Sequence, residues 1–373
     1  MFSLIHFCAP ILRWSLTWHA LRRALPEMGV SRDCLRRRSG DNRPRDHGGR
    51  GASLSLSGIP VLRALAQSPA EVVVRRPGQR FLSAPLPIAP YAASHWEFAW
   101  LSLAAYGATP AARKRAAREA HKSRARTAPD GTPLAPRDPI AILGAAGWDR
   151  WPPFGRPSVW QQIEDAHLRV EVWESRARGA VAVAFGGTVF NNEKDWLSNL
   201  RWFVPDPNDE YTQVVRTFVG SFCDEYRRRF PGNERPAVFS TGHSLGGGLA
   251  QQFAYALPLE EGVPRIKAVY AFDPSPVTGY FSVPRALRDE NKRNLFIDRV
   301  YERGEILALV RSLLNLIYAT PAHHPAIRSV RYSLFYGWNP LAEHSIVQLA
   351  NKIDREVAAQ PSGGAAGAPA PPL

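Results

Sequence analysis

Hydrophobic and polar positions alternate along the middle of the chain with two different periods. Apolar side chains that recur every three or four positions predict amphipathic helices, and short apolar or β-branched runs predict strands. The helical pattern covers residues 95–106, 211–230, 246–256 and 345–358. The strand pattern covers residues 168–174, 180–185, 237–241, 266–272, 295–301 and 327–335. Because strands alternate with helices, we predict an α/β fold with a mainly parallel central sheet covered by helices on both faces.

Composition changes at both ends of this alternating region. Residues 31–58 are rich in Arg, Gly, Ser and Asp and hold few large apolar side chains, which is typical of a disordered linker. Residues 361–373 consist mainly of Pro, Ala and Gly. We therefore predict a basic, largely disordered extension over residues 1–80, one folded domain over residues 81–358 and a disordered tail over residues 359–373.

The net charge of +14 is confined to the N-terminal third of the chain. Residues 1–127 hold 21 lysines and arginines against 7 acidic residues, whereas residues 128–373 hold 26 of each. The balanced remainder lacks the basic character of a nucleic-acid-binding domain, so no nucleic acid is expected as a partner. The basic region leaves open a peripheral contact with an anionic membrane surface.

The composition excludes several other classes of protein. With 45% hydrophobic residues among 373, the chain can bury a sizeable core. Its 3 cysteines provide neither a disulfide framework nor a zinc-binding spacing, and no metal or organic cofactor is expected. No uncharged apolar stretch reaches the roughly 18 residues of a spanning helix, and no clear signal peptide is visible. A cytoplasmic location is therefore the default expectation.

The strongest local motif is the pentapeptide Gly242-His243-Ser244-Leu245-Gly246, which has the GxSxG pattern. In this pattern a serine lies in a tight turn between a strand and a helix, where side chains two positions away on either side would collide. A predicted strand precedes the motif and a predicted helix follows it. The motif therefore predicts that Ser244 is a nucleophile at a helix N-terminus, where the helix dipole favours developing negative charge.

Two upstream segments strengthen this interpretation. Residues 184–188 read AFGGT, and residues 195–200 read DWLSNL. Together with TGHSLGGGLA at residues 241–250, they resemble the class 3, or fungal-type, lipases, a family of the α/β-hydrolase superfamily. The resemblance spans roughly residues 95–358 and finds no counterpart for the first 90 residues. It implies an α/β-hydrolase fold and a catalytic triad in the chain order Ser, acid, His.

The resemblance also implies where an oxyanion hole and a lid would lie. An ester-cleaving serine needs preorganised N–H donors for the oxyanion, and the backbone N–H of Leu245, directly after the nucleophile, is expected to be one of them. Thr188, after the strand-ending glycines, is expected to supply the other. Residues 189–205 correspond in placement to the lid of these lipases, although their apolar stripe is also compatible with ordinary core. The candidate lid or substrate-contacting residues there are Asp195, Trp196, Leu200 and Phe203.

The general base and its acid partner are placed by the same resemblance. His344 lies just before the final predicted helix, where the family has its histidine, and is the expected base. Glu305 follows the strand at residues 295–301, where the family commonly has Asp, and is the expected acid. Glu departs from that pattern but can still accept a hydrogen bond from an imidazole. Asp273, after the strand that follows the elbow, is the alternative acid.

These features predict a serine hydrolase that cleaves carboxylic esters of lipids through an acyl-enzyme on Ser244. By resemblance the substrates are acylglycerols or phospholipids. Two alternatives stay open at this stage. One is acyl transfer to an alcohol by the same triad, and the other is a membrane- or protein-binding module with an inactive hydrolase fold.

Overall fold

The computed structural model of the chain describes residues 70–79, 81–107, 137–165, 168–187, 214–233, 235–303, 324–334 and 345–360. The chain divides into two units, Met1–Gly58 and Ile59–Leu373, and all of the described residues belong to the second. Most of the predicted extension over residues 1–80 and of the predicted tail over residues 359–373 lies outside the described residues. The disorder expected there stays a prediction.

Nine strands form one sheet in the described part of the chain. In chain order they are β1 (Glu71–Arg75), β2 (Leu86–Pro87), β3 (Asp149–Arg150), β4 (Arg169–Ser175), β5 (Ala180–Gly186), β6 (Ala237–His243), β7 (Ile266–Phe272), β8 (Phe296–Glu302) and β9 (Ala326–Ser333). Across the sheet the order is β2-β1-β9-β8-β7-β6-β5-β4-β3. Strands β5 to β9 are mutually parallel, and the strands at both edges pair antiparallel. The carboxyl ends of β5 to β9 therefore meet at one edge, where α/β sheets bind ligands.

Seven α-helices lie among the described residues. They are α1 (Ala89–Ala104), α2 (Pro139–Ala145), α3 (Pro157–Asp165), α4 (Val219–Arg229), α5 (Leu245–Ala256), α6 (Arg285–Asn291) and α7 (Ile346–Ala358). A 3-10 turn, Ala105–Gly107, extends α1, and a π-helical turn, Val214–Phe218, precedes α4. Within the described ranges, no helix has the length and apolar character needed to cross a membrane.

Two hydrophobic cores, one on each face of the sheet, hold these helices in place. Side chains alternate between faces along β5, so Val183 packs in one core and Ala182 in the other. Helices α4 and α5 contribute to the first core, where Phe253 is fully buried. Helices α1 and α7 contribute to the second, where Trp100 and Leu349 are fully buried. Helices thus cover both faces, and the predicted α/β class is confirmed.

The sheet begins earlier in the chain than the predicted domain boundary at residue 81. Strand β1 pairs antiparallel with β9 over its whole length, from Glu71 opposite Ser333 to Arg75 opposite Ser329. Its three central valines, at residues 72–74, are buried. A run of three apolar residues beside a basic extension is too short to be recognised as a strand without its partner. Residues 71–75 therefore belong to the sheet, and the extent of the extension before them stays a prediction.

One buried polar cluster ties helix α1 to strands β8 and β9. The imidazole of His95 has its Nε2 2.8 Å from the Asp298 carboxylate and its Nδ1 2.7 Å from the Tyr332 hydroxyl. The guanidinium of Arg328 donates to the same carboxylate, with Nε 3.0 Å from Oδ1. Burial by itself would raise the pKa of Asp298, but His95 and Arg328 outweigh burial and hold that pKa below its ordinary value. Asp298 is therefore an anion inside the core.

We predict that Asp298→Ala destabilises the fold by about 3–5 kcal/mol, because it leaves the buried guanidinium of Arg328 without its carboxylate. Urea unfolding followed by circular dichroism measures the change. Asp289→Ala is the matched control, since Asp289 pairs with Lys292 on the surface, where water screens the charges, and little change is expected. Equal losses in the two variants would contradict the assignment.

The pH dependence of stability provides a second test of this cluster. The pKa of Asp298 is lower in the folded chain than in the unfolded chain, so its contribution is fully present above the unfolded value of about 4. The contribution is lost as the pH falls from about 4 through the folded value. We therefore expect the stability difference between the wild type and Asp298→Asn to shrink on acidification below about pH 4, as measured by urea unfolding at a series of pH values.

Candidate active site

Ser244 occupies the turn between strand β6 and helix α5, at the carboxyl edge of the parallel strands. Its backbone has φ 58° and ψ −122°, a region that residues other than glycine rarely adopt. Two hydrogen bonds hold it there. The Ser244 N–H donates to the Phe272 carbonyl at 2.9 Å, and the Ser275 N–H donates to the Ser244 carbonyl at 2.9 Å. A serine held in this conformation between a strand and a helix has the backbone of a nucleophile elbow.

Close approach of backbone to backbone explains both glycines of the GxSxG motif. A Cβ atom on Gly242 would collide with the Gly246 carbonyl and lie 2.8 Å from the carbonyl oxygen of Phe185. A Cβ atom on Gly246 would collide with the same Phe185 carbonyl and lie 2.9 Å from the carbonyl carbon of Gly186. The crowding that the motif predicted is therefore confirmed.

Backbone amides lie at the same corner of the sheet. Helix α5 begins at Leu245, so the Leu245 N–H belongs to the first turn, whose N–H groups have no acceptor within the helix. Gly187 follows the end of strand β5 and approaches the elbow closely. A Cβ atom on Gly187 would lie 2.6 Å from the His243 carbonyl oxygen and 3.3 Å from the Ser244 Cβ. The end of β5 and the elbow are thus in direct contact.

A row of buried polar groups runs beneath the elbow, across the ends of the parallel strands. The Nδ1 atom of His243 is 2.6 Å from the Tyr106 hydroxyl, and its Nε2 atom is 3.8 Å from the Asp273 carboxylate. Asp273 accepts from the Glu302 N–H at 3.3 Å, and the Glu302 carboxylate accepts from the Leu334 N–H at 2.8 Å. These contacts join the ends of β6, β7, β8 and β9.

Tyr106 brings the end of the first helix into this row, because it lies in the 3-10 turn after α1. Burial raises the pKa of its phenol well above the ordinary value, although Arg169 and a hydrogen bond from the Gly187 backbone partly offset the effect. The phenol therefore keeps its proton. Because the Asp273 carboxylate facing Nε2 can only accept, it favours the His243 tautomer with its proton on Nε2, and Nδ1 is then the acceptor of the phenol proton.

Three of the predicted site residues lie in the described part of the chain, and the structure brings them together. Ser244 and Leu245 form the elbow, and Asp273 is fully buried beside them at the end of β7. The others, namely Thr188, Asp195, Trp196, Leu200, Phe203, Glu305 and His344, lie outside the described residues. The roles assigned to them stay predictions.

Sequence reasoning missed three residues at this site. Tyr106 was only the end of a predicted helix, and Arg169 was only the start of a strand. The Arg169 guanidinium donates to the Gly187 carbonyl at 3.0 Å, and the Gly187 backbone lowers the pKa of the Tyr106 phenol. Gly187 alone carried a signal, since it is the second glycine of the AFGGT segment. Among the described residues, no group of His, Cys, Asp and Glu side chains is placed to hold a metal ion.

The mainly parallel sheet, with a serine elbow at its carboxyl edge and helices on both faces, has the architecture of an α/β-hydrolase. The fold predicted from the sequence is confirmed at this level. A family model of the phospholipase-like class, described as a Tle-like phospholipase domain, matches residues 115–260. The matched region includes both sequence motifs and the elbow, so the resemblance to a fungal-type, lipase-like family is confirmed as well. No curated protein sequence matches the chain.

Solved lipase structures show a distant likeness. A native Rhizomucor miehei lipase propeptide complex is 15% identical over 62% of this chain and 64% of its own, with a TM-score of 0.35. Lipase II from Rhizopus niveus is 14% identical over 65% of this chain and 79% of its own, with a TM-score of 0.38. Lip2 lipase from Yarrowia lipolytica is 17% identical over 58% of this chain and 72% of its own, with a TM-score of 0.33. The alignment spans less than two thirds of the Rhizomucor chain, and likeness at this level does not assign an activity.

We predict that Gly246→Ala destabilises the chain by about 1–3 kcal/mol, because the new methyl group is forced into the Phe185 carbonyl. Gly220→Ala is the control, since a Cβ atom at Gly220 meets nothing within 4 Å and Gly220 lies in helix α4. There we expect a gain of about 0.5–1 kcal/mol. Thermal unfolding of both variants measures the difference, and a Gly246→Ala variant as stable as the wild type would contradict the elbow geometry.

Proposed function

We propose that this chain is a serine hydrolase that cleaves carboxylic esters of lipids through an acyl-enzyme on Ser244. The observation that carries the proposal is the conformation of Ser244, at φ 58° between a parallel strand and the helix that begins at Leu245. Such a conformation costs stability in a residue other than glycine, and conformations of this kind cluster at functional sites. In a nucleophile elbow, this backbone conformation presents the serine hydroxyl beside the N–H groups of the helix start.

In the proposed mechanism, the Ser244 oxygen attacks the ester carbonyl while the imidazole of His344 removes the hydroxyl proton. The N–H groups of Leu245 and Thr188 stabilise the oxyanion. As the bond to the alcohol breaks, the imidazolium returns the proton to the departing oxygen. Water, deprotonated by the same imidazole, then attacks the acyl-enzyme and releases the carboxylic acid and free Ser244.

We assign Glu305 as the acid that orients the imidazole, and the contacts of Asp273 support this choice over the alternative. One Asp273 oxygen accepts from the backbone N–H of Glu302, and the other faces Nε2 of His243. Both contacts connect strand ends beneath the elbow. Asp273 therefore supports the turn, and the triad role is proposed for Glu305.

Lipid esters are proposed as substrates because the matched family model is phospholipase-like and the motifs resemble those of lipases. The segment at residues 189–205, with Asp195, Trp196, Leu200 and Phe203, is proposed to contact the acyl chain. The basic residues before position 128 are proposed to attract the chain to an anionic lipid surface. Acylglycerols and phospholipids both fit this chemistry, and analysis of the products from mixed vesicles distinguishes them.

We predict that Ser244→Ala lowers kcat for a soluble p-nitrophenyl ester by about 10³-fold or more, because no other group supplies the nucleophile. A fluorophosphonate probe should label the wild type and leave Ser244→Ala unlabelled. Ser221→Ala is the control, since the one described hydrogen bond of this hydroxyl is to the Thr217 carbonyl, in the π-helical turn before α4. Hydrolysis and labelling that persist in Ser244→Ala would refute the proposal.

The triad assignment has its own prediction. His344→Ala should lower kcat about as much as Ser244→Ala, and Glu305→Gln should lower it by about 10²- to 10⁴-fold. Asp273→Asn should cost less than Glu305→Gln, and its loss should follow the change in thermal stability. A larger catalytic loss in Asp273→Asn, with stability unchanged, would reverse the assignment of the acid.

A further inference from the structure

The contacts of Tyr106 and His243 form a chain of hydrogen bonds with a defined direction. A phenol has one proton to donate, and the proton goes to Nδ1 of His243, 2.6 Å away. The Gly187 backbone lies beside the phenol and lowers the pKa of the phenol. With Nδ1 as an acceptor, the neutral imidazole carries its proton on Nε2, on the side of the Asp273 carboxylate. The phenol therefore donates to the imidazole, and the imidazole N–H faces the carboxylate.

This series of hydrogen bonds joins two parts of the protein whose relative position matters for the proposed reaction. His243 directly precedes the nucleophile Ser244, and Gly187 directly precedes Thr188, the proposed second oxyanion donor. The Gly187 carbonyl accepts from Arg169 at 3.0 Å, and a Cβ atom on Gly187 would lie 2.5 Å from the Tyr106 hydroxyl, so Gly187 is packed between these two side chains. Because a peptide unit is planar, a fixed Gly187 carbonyl also restricts the N–H group that follows it.

We propose that Tyr106 and His243 are positioning residues that hold the oxyanion side of strand β5 against the nucleophile elbow. The inference rests on the proposed function and adds to it two residues outside the triad. Neither side chain touches the reacting atoms. They act through the distance between Gly187 and Ser244, which is set so closely that a Cβ atom at Gly187 would lie 2.5 Å from the Tyr106 hydroxyl and 3.3 Å from the Ser244 Cβ.

The first test compares Tyr106→Phe with Tyr226→Phe. Each variant loses one buried phenol hydrogen bond, but the Tyr226 hydroxyl donates to the Pro236 carbonyl at 2.6 Å, at the opposite end of strand β6. We expect Tyr106→Phe to lower kcat for a p-nitrophenyl ester by about 10- to 100-fold with KM changed less than about twofold, since displaced donors weaken only transition-state binding. Tyr226→Phe should keep the wild-type kcat. Fluorophosphonate labelling of Ser244 should slow in parallel, because the phosphonate adduct uses the same oxyanion donors.

The second test asks whether a different hydrogen-bond acceptor at residue 243 preserves kcat. The Oδ1 atom of Asn can replace Nδ1 as the acceptor of the Tyr106 proton, whereas Leu offers no acceptor. We expect His243→Asn to keep a higher kcat than His243→Leu. Adding Tyr106→Phe to His243→Leu should lower kcat little further, because both changes remove the same contact. Imidazole ¹⁵N spectra report the pairing without any activity, and the Nδ1 signal of His243 should shift in Tyr106→Phe and stay in Tyr226→Phe.

The outcomes separate this inference from the proposed function. A wild type that neither hydrolyses esters nor reacts with the fluorophosphonate overturns the proposed function, and with it the catalytic part of the inference. An active wild type whose kcat falls equally in Tyr106→Phe and Tyr226→Phe overturns the inference alone. Unchanged ¹⁵N spectra in Tyr106→Phe overturn the pairing itself, whatever the activity.

Discussion

The turn at Ser244 depends on how closely three backbone segments approach one another. The carbonyl of Phe185, at the end of β5, lies where a side chain on Gly242 or Gly246 would have to go. Helix α5 can therefore start directly after strand β6 only if both positions lack a Cβ atom. Because α5 starts so close to β6, its N-terminal N–H groups lie beside Ser244 and the end of β5 contacts the elbow. The position of every other group at this corner follows from this contact.

Two groups of buried polar side chains stabilise the sheet, one in the core and one at its carboxyl edge. In the core, Asp298 binds His95 and Arg328 and so fixes helix α1 against β8 and β9. At the carboxyl edge, Asp273 and Glu302 accept backbone N–H groups from the neighbouring strand ends. An unmatched buried polar group is costly, so such groups specify the register of the elements that carry them. The loops that leave the sheet therefore start from fixed points.

The larger elements of the fold were predictable because their signal is local. Strand β5 and helix α5 are long apolar runs with turn residues at their ends, and their bounds in the structure lie close to the predicted ones. Strands β2 and β3 contain two residues each and exist only through their pairing partners. Helices α2 and α3 have 7 and 9 residues, and each has a single buried side chain. Segments this short fall below the length at which an apolar period identifies a helix.

The sequence by itself determined the class of the fold and the place of the serine elbow, since both depend on residues close together in the chain. The GxSxG motif specifies its own turn, and the alternation of strands and helices specifies a parallel sheet. Only the tertiary structure decided which side chains support that turn. Tyr106, Arg169 and His243 come from three separate elements. Their hydrogen bonds, from Tyr106 to His243 and from Arg169 to the Gly187 carbonyl, depend on distances of a few tenths of an ångström. Such distances arise from the packing of the whole sheet, which no short stretch of sequence encodes.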